Sequence, residues 1–135
     1  MPSKKMSQHE IRMSAVQALY SIELQDEATV TDAMDFVLSY DEFPEESPAY
    51  LETLIRGVQI NKEKLDENLA KYIKSPWSLD RLTNIDRVIL RLGAYEILET
   101  ETPNVVAVNE AIELAKNFND EKSAKFINGV LTNLV

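Results

Sequence analysis

Apolar residues recur along this chain at intervals of three and four, in blocks parted by short polar runs. Ile11, Ala15, Ala18, Leu19 and Ile22 fall on one stripe of a helix. Just before them, Ser7-Gln8-His9-Glu10 has capping-box spacing: the Ser7 hydroxyl can accept from the Glu10 N–H while the Glu10 carboxylate reaches back to the Ser7 N–H. A first helix is predicted from about Ser7 to Gln25, ended by the acid-rich Gln25-Asp26-Glu27. A second starts near Thr29 or Thr31 and carries Met34, Val37 and Leu38. Asp41 to Glu46 reads as a loop. Ser47 before Pro48 restarts a helix, since proline suits the first helical position, where no N–H is needed. Leu51, Leu54, Ile55 and Val58 form the next stripe, and Leu65, Leu69 and Tyr72 extend the period past Asn61. Two helices meeting at a bend near Asn61 are expected, with one long helix as the alternative.

Ser75-Pro76-Trp77 interrupts the period, and Trp77 between helices is expected in the core or at a joint between subdomains. Thr83 can cap a fifth helix holding Ile85, Val88, Ile89, Leu92 and Tyr95. Pro103 precedes a sixth with Val108, Ala111, Ile112 and Ala115, and a seventh carries Ile127, Val130, Leu131 and Leu134. A short turn rich in Asn, Asp and Lys joins these last two. No segment combines β-branched alternation with hairpin chemistry; Asn128-Gly129 sits inside a helical stripe. A glycine there costs about 1 kcal/mol of helix propensity relative to alanine, which predicts close approach of a neighbouring helix. The pattern is that of an all-α fold.

With 135 residues, 44% of them hydrophobic, the chain is expected to form one domain over 1–135 with a proper core. It has no cysteine, which excludes disulfides and thiolate metal sites. Met1-Pro2-Ser3-Lys4-Lys5 is not followed by an apolar signal segment, and no apolar run nears the roughly 20 residues that span a bilayer. A soluble, cytoplasmic protein without membrane contact is expected. The net charge of −9 argues against nucleic acid until its distribution is read. Residues 21–55 hold ten acids and no Lys or Arg, so this segment carries −10 and the rest sums to +1. Charges are screened beyond about 10 Å at ordinary salt, so a local basic patch decides phosphate binding.

Catalytic chemistry is missing. His9, alone in the first turn of a helix, reads as a surface residue with no second His or Cys to build a metal site. Gly57, Gly93 and Gly129 are too dispersed for a phosphate-cradling loop. The carboxylate pairs Glu96/Glu99 and Glu110/Glu113 lack a His and read as surface solvation. No serine stands in a nucleophile-elbow context. The expectation is a protein that is not an enzyme and uses no cofactor or metal.

Three blocks, in order, carry a resemblance. The first is Arg12-Met13-Ser14-Ala15-Val16-Gln17-Ala18-Leu19-Tyr20, and the second is Ile85-Asp86-Arg87-Val88-Ile89-Leu90-Arg91-Leu92-Gly93-Ala94-Tyr95-Glu96. The third holds Pro103, Val108-Asn109-Glu110-Ala111, Glu113-Leu114-Ala115-Lys116, Phe118, Ser123, Lys125-Phe126 and Asn128-Gly129-Val130-Leu131. Together they resemble the NusB family of bacterial transcription antitermination. The acidic middle, from about Leu24 to Ala49, matches nothing specific. The resemblance implies about seven helices in two packed helical subdomains. It implies a partner, the ribosomal protein NusE, and a ligand, the boxA single-stranded RNA of nascent ribosomal RNA transcripts. The pair would recruit the antitermination complex to RNA polymerase.

On this reading Lys4, Lys5 and Arg12 neutralise phosphates. Where family members have an arginine-rich start, only these three are basic and Glu10 opposes them, so the chain alone is expected to bind RNA weakly. Lys116, Lys122 and Lys125, with Phe118 and Phe126, form a basic-plus-aromatic set of the kind single-stranded RNA favours: cations track the backbone and an aromatic face stacks a splayed base. Core packing is the alternative for both phenylalanines. Gln17 can hydrogen-bond a base edge. Tyr20 and Asp86 match positions the family turns toward its ribosomal-protein partner; the bland role for Asp86 is interaction with its helix dipole.

Two rival readings stand beside this one. The first is a NusB-like accessory domain related to ribosomal RNA methyltransferases; against it, the sequence stops at Val135 with no catalytic domain after it. The second is a helical scaffold that binds only protein, which the acidic balance would suit.

Overall fold

The structure is a computed structural model. It describes residues 6–24, 32 and 49–135. Among them are six α-helices, one 3₁₀ turn and no strand, as an all-α pattern requires. The expected second helix, the loop at 41–46, the Ser47-Pro48 restart, Lys4 and Lys5 lie outside the described residues. The chain divides into two compact units, Met1–Gly57 and Val58–Val135.

In the first unit, α1 spans Gln8–Leu24. Its start is the reciprocal pair expected from the sequence. The Ser7 N–H donates to Glu10 Oε1 at 3.2 Å, and the Glu10 N–H donates to Ser7 Oγ at 3.1 Å. Ile11, Ala15, Ala18 and Leu19 of the expected stripe are buried, and so is Val16 beside it. The next helix, α2, spans Ala49–Ile60 and buries Leu51, Leu54, Ile55 and Val58.

The bend at Asn61 is present. Its φ of −98° and ψ of 10° leave the helical well, and α3 then runs over Lys62–Ala70. A 3₁₀ turn at Leu79–Arg81 precedes α4 (Asn84–Glu99), which opens on the expected cap: the Asp86 N–H donates to Thr83 Oγ1 at 3.3 Å. Two further helices follow, α5 (Asn104–Phe118) and α6 (Glu121–Thr132). Within this unit α4 packs against α3, α5 and α6. Every residue from Val88 to Glu96 is buried, so α4 is covered all round rather than along one stripe. That costs a buried cation, Arg91, which is held by a fork to Asp66 at 2.8 and 2.9 Å.

The glycines reverse the expectation. A Cβ on Gly129 would meet no atom within 4 Å, and the residue is exposed. The close approach is at Gly93 instead. A Cβ there would lie 2.6 Å from Leu131 Cδ1 and 3.4 Å from Ala111 Cβ, so α4, α5 and α6 meet over that residue. The error has a plain cause. Gly129 lies between Asn128 and Val130 on the outward side of its stripe, and one sequence does not say which glycine faces another helix. Gly129→Ala should therefore stabilise the protein, by about 0.5–1 kcal/mol of recovered helix propensity. Urea denaturation checks it, and a lower midpoint would show a neighbour at that site.

Candidate functional site

The described basic and aromatic candidates of the second unit gather around the turn between α5 and α6. That turn is two residues long. The Asn119 N–H closes α5 by donating to Ala115 O at 2.8 Å. Asp120 caps α6 by accepting from the Ser123 N–H at 2.8 Å. Asp86 ties this turn to the start of α4. Its carboxylate accepts from Asn119 Nδ2 and from Ser123 Oγ, each at 3.1 Å. Asp86 is only 8% exposed, so these bonds replace water that it has lost.

The segment before α4 is held just as closely. Arg87 Nε donates to Leu79 O at 3.0 Å, Nη2 to Leu82 O at 2.8 Å and Nη1 to Asn84 Oδ1 at 2.8 Å. Arg81 Nη1 donates to Pro76 O at 3.0 Å, and the Trp77 N–H donates to Lys74 O at 3.0 Å. These bonds fix Trp77 in an outward position, 54% exposed. The expectation that Trp77 belongs to the core is overturned. Arg81 and Arg87 engage the carbonyls of Pro76, Leu79 and Leu82 on either side of it.

Between the turn and this segment lies a cleft of about 320 Å³, with Trp77, Arg81, Asn119, Lys122, Phe126 and the buried Asp86 in its lining. The structure thus brings together three of the sequence candidates, Asp86, Lys122 and Phe126, and adds Trp77, Arg81 and Asn119. The one signal for Trp77 was its place in a polar stretch with no helical stripe to bury it.

The other candidates stand outside the cleft lining. Lys125 is exposed on α6, and Phe118 is half-buried at the end of α5. Lys116 is exposed and lies 3.8 Å from Glu113, one turn back on the same helix. On α1, Gln17 is half-buried and Tyr20 is 37% exposed. Arg12, expected to meet phosphate, is 4% exposed. Among the described residues no group of three His, Cys, Asp or Glu is placed to hold a metal ion, and no helix is long and apolar enough to cross a membrane.

Comparison with known proteins adds five findings. The model of the NusB family matches residues 9–135. The transcription antitermination protein NusB of Enterococcus faecalis is 42% identical over 143 residues, covering 100% of this chain and 93% of that protein. Its counterpart from Lactococcus lactis is 55% identical over 103 residues, 74% of this chain but 54% of that protein. Among solved structures, NusB of T. maritima superposes with a TM-score of 0.85 at 30% identity, over 97% of this chain and 92% of its own. The antitermination factor in a crystal structure of NusB and NusE with dsRNA gives a TM-score of 0.81 at 26% identity, over 96% and 97%.

Proposed function

Because this chain belongs to the NusB family, we propose that it acts as a cytoplasmic transcription antitermination factor, binding boxA-type single-stranded RNA of nascent ribosomal RNA transcripts jointly with the ribosomal protein NusE. The observation that carries this reading is the likeness, over nearly the whole chain, to a structure solved with both NusE and RNA. The local chemistry supports it. Lys122, Lys125 and Lys116 are exposed around one turn, and Phe126 lines the adjacent cleft. With a net charge of −9 the chain alone binds RNA weakly, and a basic partner supplies charge and a second contact surface. Two weak RNA surfaces then act as one through linked binding. Lys4 and Lys5 contribute further phosphate contacts, Gln17 a base contact and Tyr20 a partner contact. The assembled pair recruits the antitermination complex to RNA polymerase. The role needs no bond-making chemistry, in keeping with a factor rather than an enzyme.

The test is an RNA shift assay over a salt series, with and without NusE. Adding NusE should tighten binding markedly. Lys122→Glu and Lys125→Glu should each weaken the ternary complex and reduce the salt slope by about one, as one fewer counterion is released. Unchanged affinity and slope in both variants would remove the α5–α6 turn from the RNA surface. Absence of any complex with NusE at tens of micromolar would remove the proposed function.

A further inference from the structure

The second unit carries an apolar surface that neither its core nor the α5–α6 turn uses. Ile60 is 81% exposed, Val105 71%, and Leu98 and Val106 38% each. Chain connections put the four at one end of the unit. Leu98 lies in the last turn of α4, and Val105 and Val106 lie in the first turn of α5, after a connection over 100–103. Ile60 stands one turn before Lys64, whose Nζ donates to Glu99 Oε1 at 2.7 Å and so brings the start of α3 beside the end of α4. At 1.5 Å per residue, the lengths of α4 and α5 set this end about 20 Å from Asp86 and from the α5–α6 turn. The surface is also held in shape. Thr100 Oγ1 donates to Glu96 O at 2.7 Å, the Thr102 N–H donates to Thr100 Oγ1 at 3.2 Å, and Thr102 Oγ1 donates to Oε2 of the buried Glu96 at 3.3 Å. The Val106 and Ala107 N–H groups both donate to Pro103 O at 3.0 Å and close the first turn of α5. An ordered surface loses little freedom when a partner arrives.

Local stability does not explain Val105 and Val106. β-Branched side chains lose rotamer freedom in a helix, and an exposed one gains no burial in return. Neighbouring exposed apolar side chains on a fixed surface mark contact with another molecule. Charge selects among molecules. Glu63, Glu99, Glu101 and Glu110 border the four residues against Lys62 and Lys64, a local net charge of −2, and residues 92–115 hold five acids and no Lys or Arg. Such a border repels a phosphate backbone, and it repels a second copy of the same end. It attracts a partner that combines apolar and cationic side chains. We propose that this end is a docking surface for a basic amphipathic helix of a protein partner: apolar side chains one turn apart on that helix cover Ile60, Leu98, Val105 and Val106, while flanking Lys or Arg side chains meet Glu63, Glu101 and Glu110. The site is additional to Asp86 and the α5–α6 turn and stands without the function proposed for them. It gives the chain room for a further component while those positions are occupied.

The probe is a leucine–lysine peptide of about five helical turns, with its leucines at i, i+3, i+4 and i+7. One control has the same composition in scrambled order, and a second keeps the pattern with glutamate in place of lysine. Each is titrated into the full, isotopically labelled chain. NMR chemical shifts locate the contact, and anisotropy of the labelled peptide gives the affinity. The basic amphipathic peptide should bind about 10-fold or more tightly than either control, and added salt should weaken it. Its largest shift changes should fall on Ile60, Leu98, Val105 and Val106, with none at Trp77. Ile60→Ser and Val105→Ser should each weaken binding about 5-fold and leave the melting temperature close to the parent's, since both side chains are mostly exposed. If either variant fails to fold, the shift map of the parent decides. Equal binding of the scrambled peptide, or shift changes centred elsewhere, overturns the proposal, because lysine then finds acids without using this surface. Equal binding of the glutamate peptide overturns the basic partner. Shift changes at the four residues on concentrating the free chain make a second copy the occupant, and the same changes on adding NusE or boxA-type RNA make this end part of those contacts; each of these results overturns the proposal.

Discussion

Gly93→Leu is expected to destabilise the protein by about 2–3 kcal/mol, although leucine is the better helix former. Helix propensity alone favours the change by roughly 0.8 kcal/mol. Packing opposes it more strongly. The first added carbon would already lie 2.6 Å from Leu131 Cδ1, and the Ala111 Cβ is 3.4 Å away. Leu131 is 0% exposed and Ala111 is 2% exposed, so neither has open space to retreat into. Relief requires α4 to part from α5 and α6, which loosens the unit that carries the cleft. A thermal melt should show a loss of roughly 10 °C. Gly129→Leu is the matched control: with nothing within 4 Å of its Cβ, it should melt at or above the parent. Equal melting of the two variants would refute the packing assigned to Gly93.

Asp86→Lys should cost about 3 kcal/mol or more, and the loss should come from the fold before any partner is involved. In the proposed function Asp86 would face the partner, and from charge alone this variant would weaken binding by inverting a contact. The structure supplies a second and larger effect. Asp86 is 8% exposed and accepts from Asn119 Nδ2 and Ser123 Oγ. Lysine removes that acceptor, leaves both donors without their bonds, and places a cation in the first turn of α4, where the helix dipole disfavours it. Asp86→Asn separates the two roles. It keeps an acceptor oxygen at nearly the same place and should cost about 1 kcal/mol. Chemical denaturation and calorimetry against NusE are measured on both variants. If Asn binds NusE as the parent does while Lys does not, Asp86 acts through the fold. A large loss of NusE affinity in a stable Asn variant would establish a direct contact. A Lys variant as stable as the parent would refute the tie between α4 and the α5–α6 turn.

The difference between Gly93 and Gly129 shows where reading the chain stops. Both glycines lie in helical stretches with apolar neighbours, and nothing within four residues of either says what stands opposite. The exposure of Trp77 and of Arg12 is set in the same way. Tryptophan is apolar enough to expect burial and arginine charged enough to expect exposure, yet Trp77 is 54% exposed and Arg12 4%. In each case the surroundings outweigh the residue's own preference. Trp77 is turned outward by a segment whose carbonyls are engaged by Arg87 and Arg81. Asp120 as the cap of α6 is a matter of local chemistry, since an aspartate just before a helix can accept from the N–H three residues on.

By itself the sequence determined what local chemistry controls. The Ser7–Glu10 box, the bend at Asn61, the Thr83 cap and the helix after Pro103 each depend on atoms within four residues along the chain, where hydrogen-bond geometry and the helical period leave few alternatives. The ordered blocks from Arg12 to Tyr20, Ile85 to Glu96 and Pro103 to Leu131 were enough to identify the family. Only the tertiary structure decided which side chains share a site. Asp86 meets Asn119 and Ser123 across 33 and 37 residues, and Trp77 lines a cleft with Phe126 from the far side of two helices. Such neighbours are set by how α4, α5 and α6 pack, a balance summed over many buried contacts, and no short stretch of the chain contains it.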